Sequence, residues 1–306
     1  MSNILITGGA GFVGTNLIKR LLRENHEVVS IDNYSSGFKE NHQEGCNYIE
    51  YDISNRQINE IYVDHSAYPS WRNIEFDLIF HMAALARIQP SIKDPITTIN
   101  NNFNSTLNIL DWAREKNTPV VFAGSSSKHH GLWGSPYAWS KFGGEQLCEL
   151  YNKVYNLPTA ICRFYNVYGK HQIENGTYAT VIGIFEKQFR EGKALTVVGN
   201  GKQRRDFTHI DDIVDGIIKC GQNINEVSGE VFELGRGQNH SILEITDMFG
   251  KTGIKHIAAR PGEYDVTLAD YSKASKLLNW KPTINLRDYI NEVTSKFKNE
   301  NREQIK

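Results

Sequence analysis

Short apolar runs alternate with longer amphipathic stretches through the first half of the chain. Runs rich in Val, Ile and Phe predict strands buried on both faces, as is typical of parallel sheets. These runs lie at 3–7, 27–31, 48–51, 77–81, 119–123 and 159–164. The helical patterns between them lie at 11–23, 97–116 and 141–155. Strands that alternate with helices in this order predict an α/β fold built on a doubly wound parallel sheet.

Composition narrows the class of protein without pointing to one activity. The 306 residues carry a net charge of −1, with 40% hydrophobic and 23% charged residues, so we expect neither disorder nor a nucleic-acid partner. No apolar run approaches the roughly 18 residues of a membrane-spanning helix, and the first residues lack a signal-peptide pattern. The cysteines lie far apart, so we expect reduced thiols, no metal site, no membrane partner and a cytoplasmic location.

A glycine-rich turn follows the first predicted strand and opens the first predicted helix. Between Thr7 and Gly14, the glycines Gly8 and Gly11 let the backbone turn tightly and approach a pyrophosphate, and Gly14 lets the helix lie close to the sheet. The second strand leads into Asp32, whose carboxylate can hold the ribose hydroxyls of NAD and repel the 2′-phosphate of NADP. The turn and this acid together predict NAD as a cofactor.

Tyr137 and Lys141 are spaced i and i+4, so they share one face of a helix. A lysine ammonium beside a phenol, together with the positive nicotinamide ring, stabilises the phenolate and lowers the pKa of the tyrosine. This spacing is common in exposed helices. It gains weight here because it follows the glycine turn and the serines at 125–127, whose hydroxyls could bond a reacting substrate oxygen. We therefore predict Tyr137 and Lys141 as an acid/base pair.

These motifs together resemble the extended short-chain dehydrogenase/reductase family, and within it the NAD-dependent nucleotide-sugar epimerase/dehydratase group that includes the UDP-glucose 4-epimerases. The resemblance runs from about Asn3 to Tyr289. Besides the glycine turn and the Tyr-Lys pair, it rests on four further motifs: HMAA at 81–84, RFYNVYG at 163–169, RDFTHIDD at 205–212 and RPGE at 260–263. It implies a NAD-dependent enzyme that acts on a nucleotide-activated sugar, with a UDP-sugar as the first candidate, and that forms a homodimer.

The resemblance also implies a role for each residue that matches a family motif. Counting back from Gly131 places the catalytic serine at Ser126, which joins Tyr137 and Lys141 in catalysis. The expected cofactor-binding residues are Gly8, Gly11, Phe12, Val13, Gly14, Asp32, Asn33, Asp52, Ile53, Met82, Ala83, Ala84, Asn101, Tyr137 and Lys141. The expected substrate-binding residues are Ser126, Asn166, Arg205, Arg260 and Glu263. The two arginines suit a diphosphate, because guanidinium donors pair with its oxygens in forks.

Two departures from the family pattern lie between the serines and Tyr137. His130 stands where relatives carry a tyrosine, and the loop between Gly131 and Tyr137 is shorter than in relatives. The shorter loop predicts a more open sugar pocket. His129 and His130 could add acid/base capacity or merely fill a turn. We favour the turn, because their spacing matches no metal site and no carboxylate partner is evident.

The residues after Ser126 help to choose among the reactions of the family. Dehydratases and decarboxylases carry carboxylates there, whereas this chain has Ser127 and Lys128. We therefore expect epimerisation, by transient oxidation to a keto-sugar and return of hydride to its other face. The expected centre is C4 of a UDP-hexose or of a UDP-N-acetylhexosamine, for which Thr267 would leave room. The alternatives are another nucleotide-sugar oxidoreductase or dehydratase reaction of the family, or a non-catalytic dinucleotide-binding module.

The second half of the chain has more glycines and shorter predicted helices, which predicts two domains. Residues 1–166 with 206–235 would form a Rossmann-like NAD-binding domain, since the strand at 230–234 and the helix from Asp211 are expected to return to the sheet. Residues 167–205 with 236–306 would form a smaller C-terminal mixed α/β domain for the nucleotide sugar. Ligands would then bind in the cleft between the two.

Overall fold

A computed structural model of the chain describes residues 1–55, 74–250, 253–262 and 264–304. Its main feature is a seven-stranded sheet in which every neighbouring pair is parallel. The strands of this sheet are β1 Asn3–Thr7, β2 Glu27–Asp32, β3 Cys46–Glu50, β4 Leu78–His81, β5 Val120–Ser125, β6 Thr159–Phe164 and β11 Val231–Leu234. The predicted α/β fold with a doubly wound parallel sheet is confirmed.

Helices cover both faces of this sheet and connect its strands. Those of the first half are α1 Phe12–Arg23, α2 Ile88–Lys93, α3 Pro95–Ile99, α4 Ser105–Lys116, α5 Ser127–Gly131 and α6 Pro136–Tyr155. One apolar core lies between the sheet and helix α1, and includes Leu17 and Ile18. A second core lies on the opposite face against α4 and α6, and includes Ile109 and Cys148. The strands are apolar on both sides because both faces are buried.

The direction of winding reverses between strands β1 and β4. The order of the strands is β11-β6-β5-β4-β1-β2-β3, so the chain builds one half of the sheet outward from β1 and the other half outward from β4. Thr7 and His81 end these two strands in register, and Thr7 Oγ1 lies 2.7 Å from His81 Nδ1. In open parallel sheets, ligands bind at the carboxyl ends of the strands beside such a reversal.

The helix predicted over 97–116 changes from α-helical to π-helical winding in its middle. Helix α3 is followed by a wider, π-type turn over Asn100–Asn104 before α4 begins. Within this turn the Asn102 side chain accepts a hydrogen bond from the Leu85 amide at 2.8 Å and donates one to Ser140 Oγ at 2.9 Å. These long-range bonds hold Asn102 toward the loop after β4. A π-type turn contains one residue more than an α-helical turn, and this extra residue lets Asn102 reach its partners. The predicted helical stretch over 97–116 is therefore confirmed, with a π-type turn inside it.

The second half of the chain adds three two-stranded sheets. Their strands are β7 Val167–Tyr168, β8 Leu195–Val198, β9 Arg204–Asp206, β10 Thr208–His209, β12 Asn239–Ser241 and β13 Ile254–Ile257. The accompanying helices are α7 Val181–Arg190, α8 Ile210–Gln222, α9 Ile242–Met248, α10 Ser272–Leu278 and α11 Leu286–Gln304. Strand β11 returns to the main sheet beside β6, as expected from the sequence. No described helix is both long and apolar enough to cross a membrane.

Candidate active site

A cleft of about 520 Å³ opens at the carboxyl ends of the central strands. It extends from the glycine turn after β1 to the loops that join the small sheets. Most residues predicted for the cofactor and the substrate line it. These are Gly8, Gly11, Phe12, Val13, Gly14, Asp32, Asn33, Ile53, Met82, Ala83, Ala84, Asn101, Ser126, Tyr137, Asn166, Arg205 and Arg260. Residues from ten separate segments of the sequence therefore reach one cavity.

The glycine turn is shaped by contacts that a side chain would block. Gly8 has a φ of +74°, and a Cβ there would lie 2.8 Å from the backbone of Ala83. A Cβ on Gly14 would lie 2.2 Å from the carbonyl oxygen of Gly8, so helix α1 packs directly on the turn. The bare backbone at Gly8 and Gly11 faces the cleft at the start of α1. This cradle fits the pyrophosphate of a dinucleotide.

Asp32 lies at the end of β2 and organises the same turn. Its carboxylate accepts hydrogen bonds from the backbone amides of Ala10, at 2.9 Å, and Tyr34, at 2.8 Å. Burial raises the pKa of Asp32, and these two amides oppose the shift. Each oxygen of a carboxylate can accept more than one hydrogen bond. Asp32 can therefore fix the loop and still accept hydrogen bonds from a ribose, which fits NAD.

Asp52 and Ile53, two of the predicted cofactor-binding residues, differ in their position relative to the cleft. Ile53 lines the cleft, whereas Asp52 is not among the described residues that line it. The Asp52 carboxylate instead accepts a hydrogen bond from the Ser54 amide at 2.9 Å. The Asn108 side chain of α4 donates to the carbonyl oxygen of Ile53 at 2.9 Å. This segment is thus held in place by the helix that packs beneath it.

Tyr137 lies in the first turn of helix α6. The helix begins at Pro136, earlier than predicted, because Ser135 caps it by accepting a hydrogen bond from the Ala138 amide at 3.1 Å. The Tyr137 hydroxyl donates to Ser125 Oγ at 3.2 Å, and the Ser127 hydroxyl donates to the same oxygen at 2.9 Å. The tyrosine thus contacts Ser125, whereas the family position is Ser126, which also lines the cleft.

Lys141 lies one turn after Tyr137 and is buried behind the wall of the cleft. Its Nζ is 4.3 Å from the centroid of the Phe122 ring. Burial lowers the pKa of Lys141 to about 8, and the nearby Glu145 carboxylate opposes this shift. A cation over an aromatic face is also attracted by the ring. Lys141 is therefore a desolvated ammonium that is close to its own titration near neutral pH.

The environment of Tyr137 differs from the sequence-based expectation. Burial raises the pKa of Tyr137, whereas the hydrogen bond to Ser125 and the positive charge of Arg87 lower it. The predicted lowering by Lys141 was therefore wrong for the protein by itself, in which the nearby cation is Arg87. The tyrosine is a neutral phenol in the resting protein at neutral pH.

A network of buried ion pairs lies beside helix α6, which carries Tyr137 and Lys141. Arg163 binds Glu145 through two parallel hydrogen bonds, of 3.0 and 2.7 Å, and donates to Glu233 at 2.8 Å. His129 Nε2 lies 2.7 Å from the same oxygen of Glu233. Burial would raise the pKa of Glu233, but its bonds to His129 and Arg163 hold it at about 2. The prediction that His129 lacks a carboxylate partner was wrong, because Glu233 is distant in sequence and adjacent in the fold.

Two predicted substrate residues reach the cleft from the second half of the chain. Arg205, on β9, and Arg260, after β13, both line the cavity. Arg204 differs from its neighbour, because its guanidinium pairs with Glu244 at 2.8 Å. Alternate residues of a strand point to opposite sides, which explains this division. Glu263 lies outside the described residues.

Asn166 also lines the cleft, with its amide group bonded inside the protein. Its Nδ2 donates to the carbonyl oxygen of Asp206 at 2.9 Å and to Thr267 Oγ1 at 3.3 Å. Thr267 Oγ1 also accepts a hydrogen bond from the Asp206 amide at 3.0 Å. These bonds tie the loop after β6 to β9. The predicted contact of Asn166 with a diphosphate stays a prediction.

The cleft also contains three residues that the sequence motifs did not indicate. They are Arg87, Tyr178 and Tyr264. Arg87 follows the HMAA motif by three residues, so a charged side chain just beyond a strand end was the available signal. Tyr264 directly follows the RPGE motif at 260–263, so its position was the available signal, whereas no motif lies next to Tyr178. Among the described residues, no group of His, Cys, Asp and Glu side chains is placed to hold a metal ion.

Known proteins share both the sequence pattern and the fold. The model of the NAD dependent epimerase/dehydratase family matches residues 4–235. A protein of Methanocaldococcus jannaschii named putative UDP-glucose 4-epimerase is 30% identical, over 98% of this chain and 99% of its own length. The UDP-glucuronate 4-epimerase of Thermodesulfobacterium geofontis is 30% identical, over 100% of this chain and 99% of its own length.

A solved structure supports the same assignment. The UDP-glucuronic acid 4-epimerase of Bacillus cereus, in complex with UDP-glucuronic acid and NAD, has a TM-score of 0.84 and 30% identity. The alignment covers 97% of this chain and 99% of that one. The family match, the parallel sheet and the glycine turn agree with one another. This chain therefore belongs to the NAD dependent epimerase/dehydratase family, and NAD is its cofactor, as the glycine turn and Asp32 predicted.

Proposed function

We propose that this protein epimerises a UDP-sugar at C4, a hexose or an N-acetylhexosamine by the sequence-based expectation, with Tyr137 as the acid/base group. One observation carries the proposal. The phenol of Tyr137 projects into the cleft that also contains the glycine turn and the two arginines Arg205 and Arg260. A sugar whose diphosphate is bound by the arginines would then present a ring hydroxyl to the phenol. The relatives named above for UDP-sugar 4-epimerisation support this choice.

The residues of the chain supply the proton chemistry and the positioning. Tyr137 would act from its phenolate form, which the positive nicotinamide ring of bound NAD would favour; the phenolate would take the proton of the reacting hydroxyl and later return it, and Ser125 would support it by a hydrogen bond. Ser126, at the family position, bonds the reacting oxygen, and Lys141 and Arg87 place positive charge around it. When bound, NAD supplies a reversible hydride acceptor. Gly8, Gly11 and Asp32, with the other cofactor residues predicted above, would hold it.

Among the described residues, no acid lies where the sugar would bind, which favours epimerisation over dehydration or decarboxylation. Among the described residues that line the cleft, the one carboxylate is Asp32, and it belongs to the glycine turn. Ser127 bonds Ser125, and the Lys128 Nζ lies 5.4 Å from the centroid of the Phe142 ring. Neither Ser127 nor Lys128, the two residues that follow Ser126, could therefore remove or deliver a proton at C5 of the sugar as a carboxylate would.

The direct test is a product analysis with a panel of nucleotide sugars. The purified protein is incubated with UDP-, GDP-, CDP- and dTDP-sugars, and the products are resolved by NMR. We expect interconversion of C4 epimers of a UDP-sugar, NAD that co-purifies with the protein, and no net NADH. Accumulation of a free keto-sugar or steady NADH release would instead indicate another reaction of the family. Full biological function with Tyr137→Phe would indicate a non-catalytic dinucleotide-binding module.

We also propose a homodimer formed through the catalytic helix. Trp139, Leu150 and Val154 lie on one side of α6 and are exposed, at 37%, 49% and 58%. An apolar stripe of this kind on a long helix is suited to pairing with a second copy. Light scattering should give a dimer mass for the protein and a monomer mass for Leu150→Glu. A monomeric wild-type protein would contradict this assignment.

A further inference from the structure

Arg87 brings a positive charge to the part of the cleft that contains Tyr137. Its side chain lines the cavity and is held by two backbone carbonyls. Nε donates to Tyr178 at 3.0 Å, and Nη1 donates to Ala86 at 2.9 Å. These bonds orient the guanidinium, and no hydrogen bond joins Nη2 to another described residue. Among the described residues, no carboxylate lies within ion-pair distance of Arg87.

A guanidinium in this position needs an anion. Arg87 is half-buried, and a charge that is partly removed from water is costly unless it is paired; the two backbone carbonyls compensate it in part. The ionisable side chains that act on the pKa of Arg87 are Tyr137 and Tyr178, and burial raises the pKa of both tyrosines. Both are therefore neutral in the resting protein. Since no described carboxylate pairs with Arg87, an anionic group of a ligand is suited to compensate its charge.

The position of Arg87 restricts which part of the ligand carries that anion. The glycine turn and Asp32 serve the dinucleotide, and Arg205 and Arg260 suit the diphosphate of the substrate. Arg87 instead neighbours the hydroxyl of Tyr137, which meets the sugar ring at C4 in the proposed function. One of the two ring neighbours of C4 is C5, which carries the exocyclic carbon C6, and in some sugars C6 is a carboxylate. A carboxylate there would lie close to the reacting hydroxyl and within the same part of the cleft.

We infer that the sugar carries a carboxylate at C6, so that the substrate is a UDP-hexuronic acid, and that Arg87 is the residue that selects it. The inference rests on the proposed function and concerns the C6 group, whether C2 carries a hydroxyl or an N-acetyl group. The remaining N–H groups of a fixed guanidinium match the two oxygens of a carboxylate. A neutral sugar with a C6 hydroxyl would leave the charge of Arg87 unpaired, which disfavours its binding.

Arg87 could also act on the phenolate of Tyr137, and the experiment separates the two roles. All measurements use the NAD-loaded Tyr137→Phe protein, which cannot form a phenolate. Calorimetry gives the Kd values of UDP-glucuronate, UDP-galacturonate and UDP-glucose. We expect the uronates to bind more tightly than UDP-glucose. Arg87→Gln in this background should reduce that selectivity ratio by about tenfold to hundredfold, as expected for charge-assisted hydrogen bonds.

Two further variants complete the design. Arg114→Gln removes an arginine charge from the exposed helix α4, where it pairs with Asp111, and should keep the selectivity ratio of the parent. Arg87→Lys keeps the positive charge and loses the planar pair of N–H donors that matches a carboxylate. Its selectivity ratio should lie between those of the parent and of Arg87→Gln. It also serves as the test if Arg87→Gln does not fold. An unchanged ratio in both Arg87 variants would overturn the inference, as would tighter binding of UDP-glucose by the parent.

The outcomes for the inference and for the proposed function differ. If neither UDP nor any UDP-sugar binds to the NAD-loaded protein, the proposed function fails, and the inference fails with it. If the wild-type protein epimerises neutral UDP-sugars and rejects the uronates, the proposed function stands and the inference alone is overturned. Epimerisation of a uronate by the wild-type protein, with loss of selectivity in Arg87→Gln, supports both.

Discussion

The Tyr137 hydroxyl donates a hydrogen bond to Ser125 Oγ at 3.2 Å, one residue before the serine that occupies the catalytic position of the family. The two serines therefore have different relations to the acid/base group. Both serines line the cleft, but Ser125 contacts the phenol directly and is buried, whereas Ser126 is half-buried. One serine can tune the tyrosine while the other bonds the sugar.

We predict that Ser125→Ala moves the pH dependence of activity. The hydrogen bond to Ser125 lowers the pKa of Tyr137, so its removal should raise that pKa and move the acidic limb of the kcat/KM profile to higher pH. Ser126→Ala is the matched control. It should reduce kcat by about a hundredfold, as for one lost hydrogen bond to a developing charge, with the limb in place. A profile of Ser125→Ala that falls evenly at every pH would contradict the division of roles.

Tyr137→Phe should remove the acid/base group and leave the fold intact. The phenyl ring keeps the packing of the first turn of α6, so the unfolding temperature and the amount of bound NAD should stay close to those of the wild-type protein. We expect kcat to fall by about 10²–10⁴, the usual contribution of a positioned acid/base group. A stable variant with full activity would remove Tyr137 from the mechanism.

Lys141→Met should stabilise the protein while it abolishes activity. Burial lowers the pKa of Lys141 from 10.5 to about 8, so the folded protein holds this proton less tightly than the unfolded chain. The cost of the charge is fully present below pH 8 and is relieved as the pH rises from about 8 to 10.5. The variant should therefore be more stable at pH 7, by up to about 3 kcal/mol, with an advantage that shrinks across this window.

Urea unfolding at pH 7, 8, 9 and 10 measures this difference. Lys153→Met is the control, because Lys153 lies on the same helix with its side chain 70% exposed and bonds Glu149 at the surface. Its effect should stay small at each pH, as for exposed ion pairs. An advantage of Lys141→Met that is the same at every pH would show that the buried charge is not its source.

Arg205→Ala and Arg204→Ala should separate binding from stability. Arg205 faces the cleft, so its loss should raise the KM of the nucleotide sugar by about tenfold to hundredfold. Arg204 bonds Glu244 and the side chain of Asn239, so its loss should lower the unfolding temperature and change KM less. Steady-state kinetics and thermal unfolding of both variants give the comparison. An equal rise of KM in the two would argue against a role of Arg205 in binding the diphosphate.

Arg163→Met should destabilise the protein through the carboxylates that it leaves behind. Arg163 compensates both Glu145 and Glu233, and all three side chains are largely buried. Removal of one partner from a buried ion pair costs about 3–5 kcal/mol. Arg20→Met is the control, because its ion pair with Glu24 is partly exposed and contributes about 1 kcal/mol or less. A loss of stability in Arg163→Met no larger than in the control would contradict this account.

The sequence by itself determined the features that depend on neighbouring residues. The glycine turn from Thr7 to Gly14 follows from backbone freedom and from the strand before it. Tyr137 and Lys141 share a helix face because they are four residues apart. The parallel sheet follows from the alternation of apolar runs with helices, and the return of strand β11 follows from the same pattern. The division into two domains stays a prediction.

The tertiary structure decided everything that joins distant segments. It paired Tyr137 with Ser125 instead of Ser126, because the bend at the end of β5 sets which hydroxyl meets the helix. It joined His129 to Glu233, which are 104 residues apart. It also placed Arg87 beside Tyr137 and inserted the wide turn at Asn102. No local pattern encodes such contacts, because they depend on how strands and helices pack, and packing arises from the whole chain.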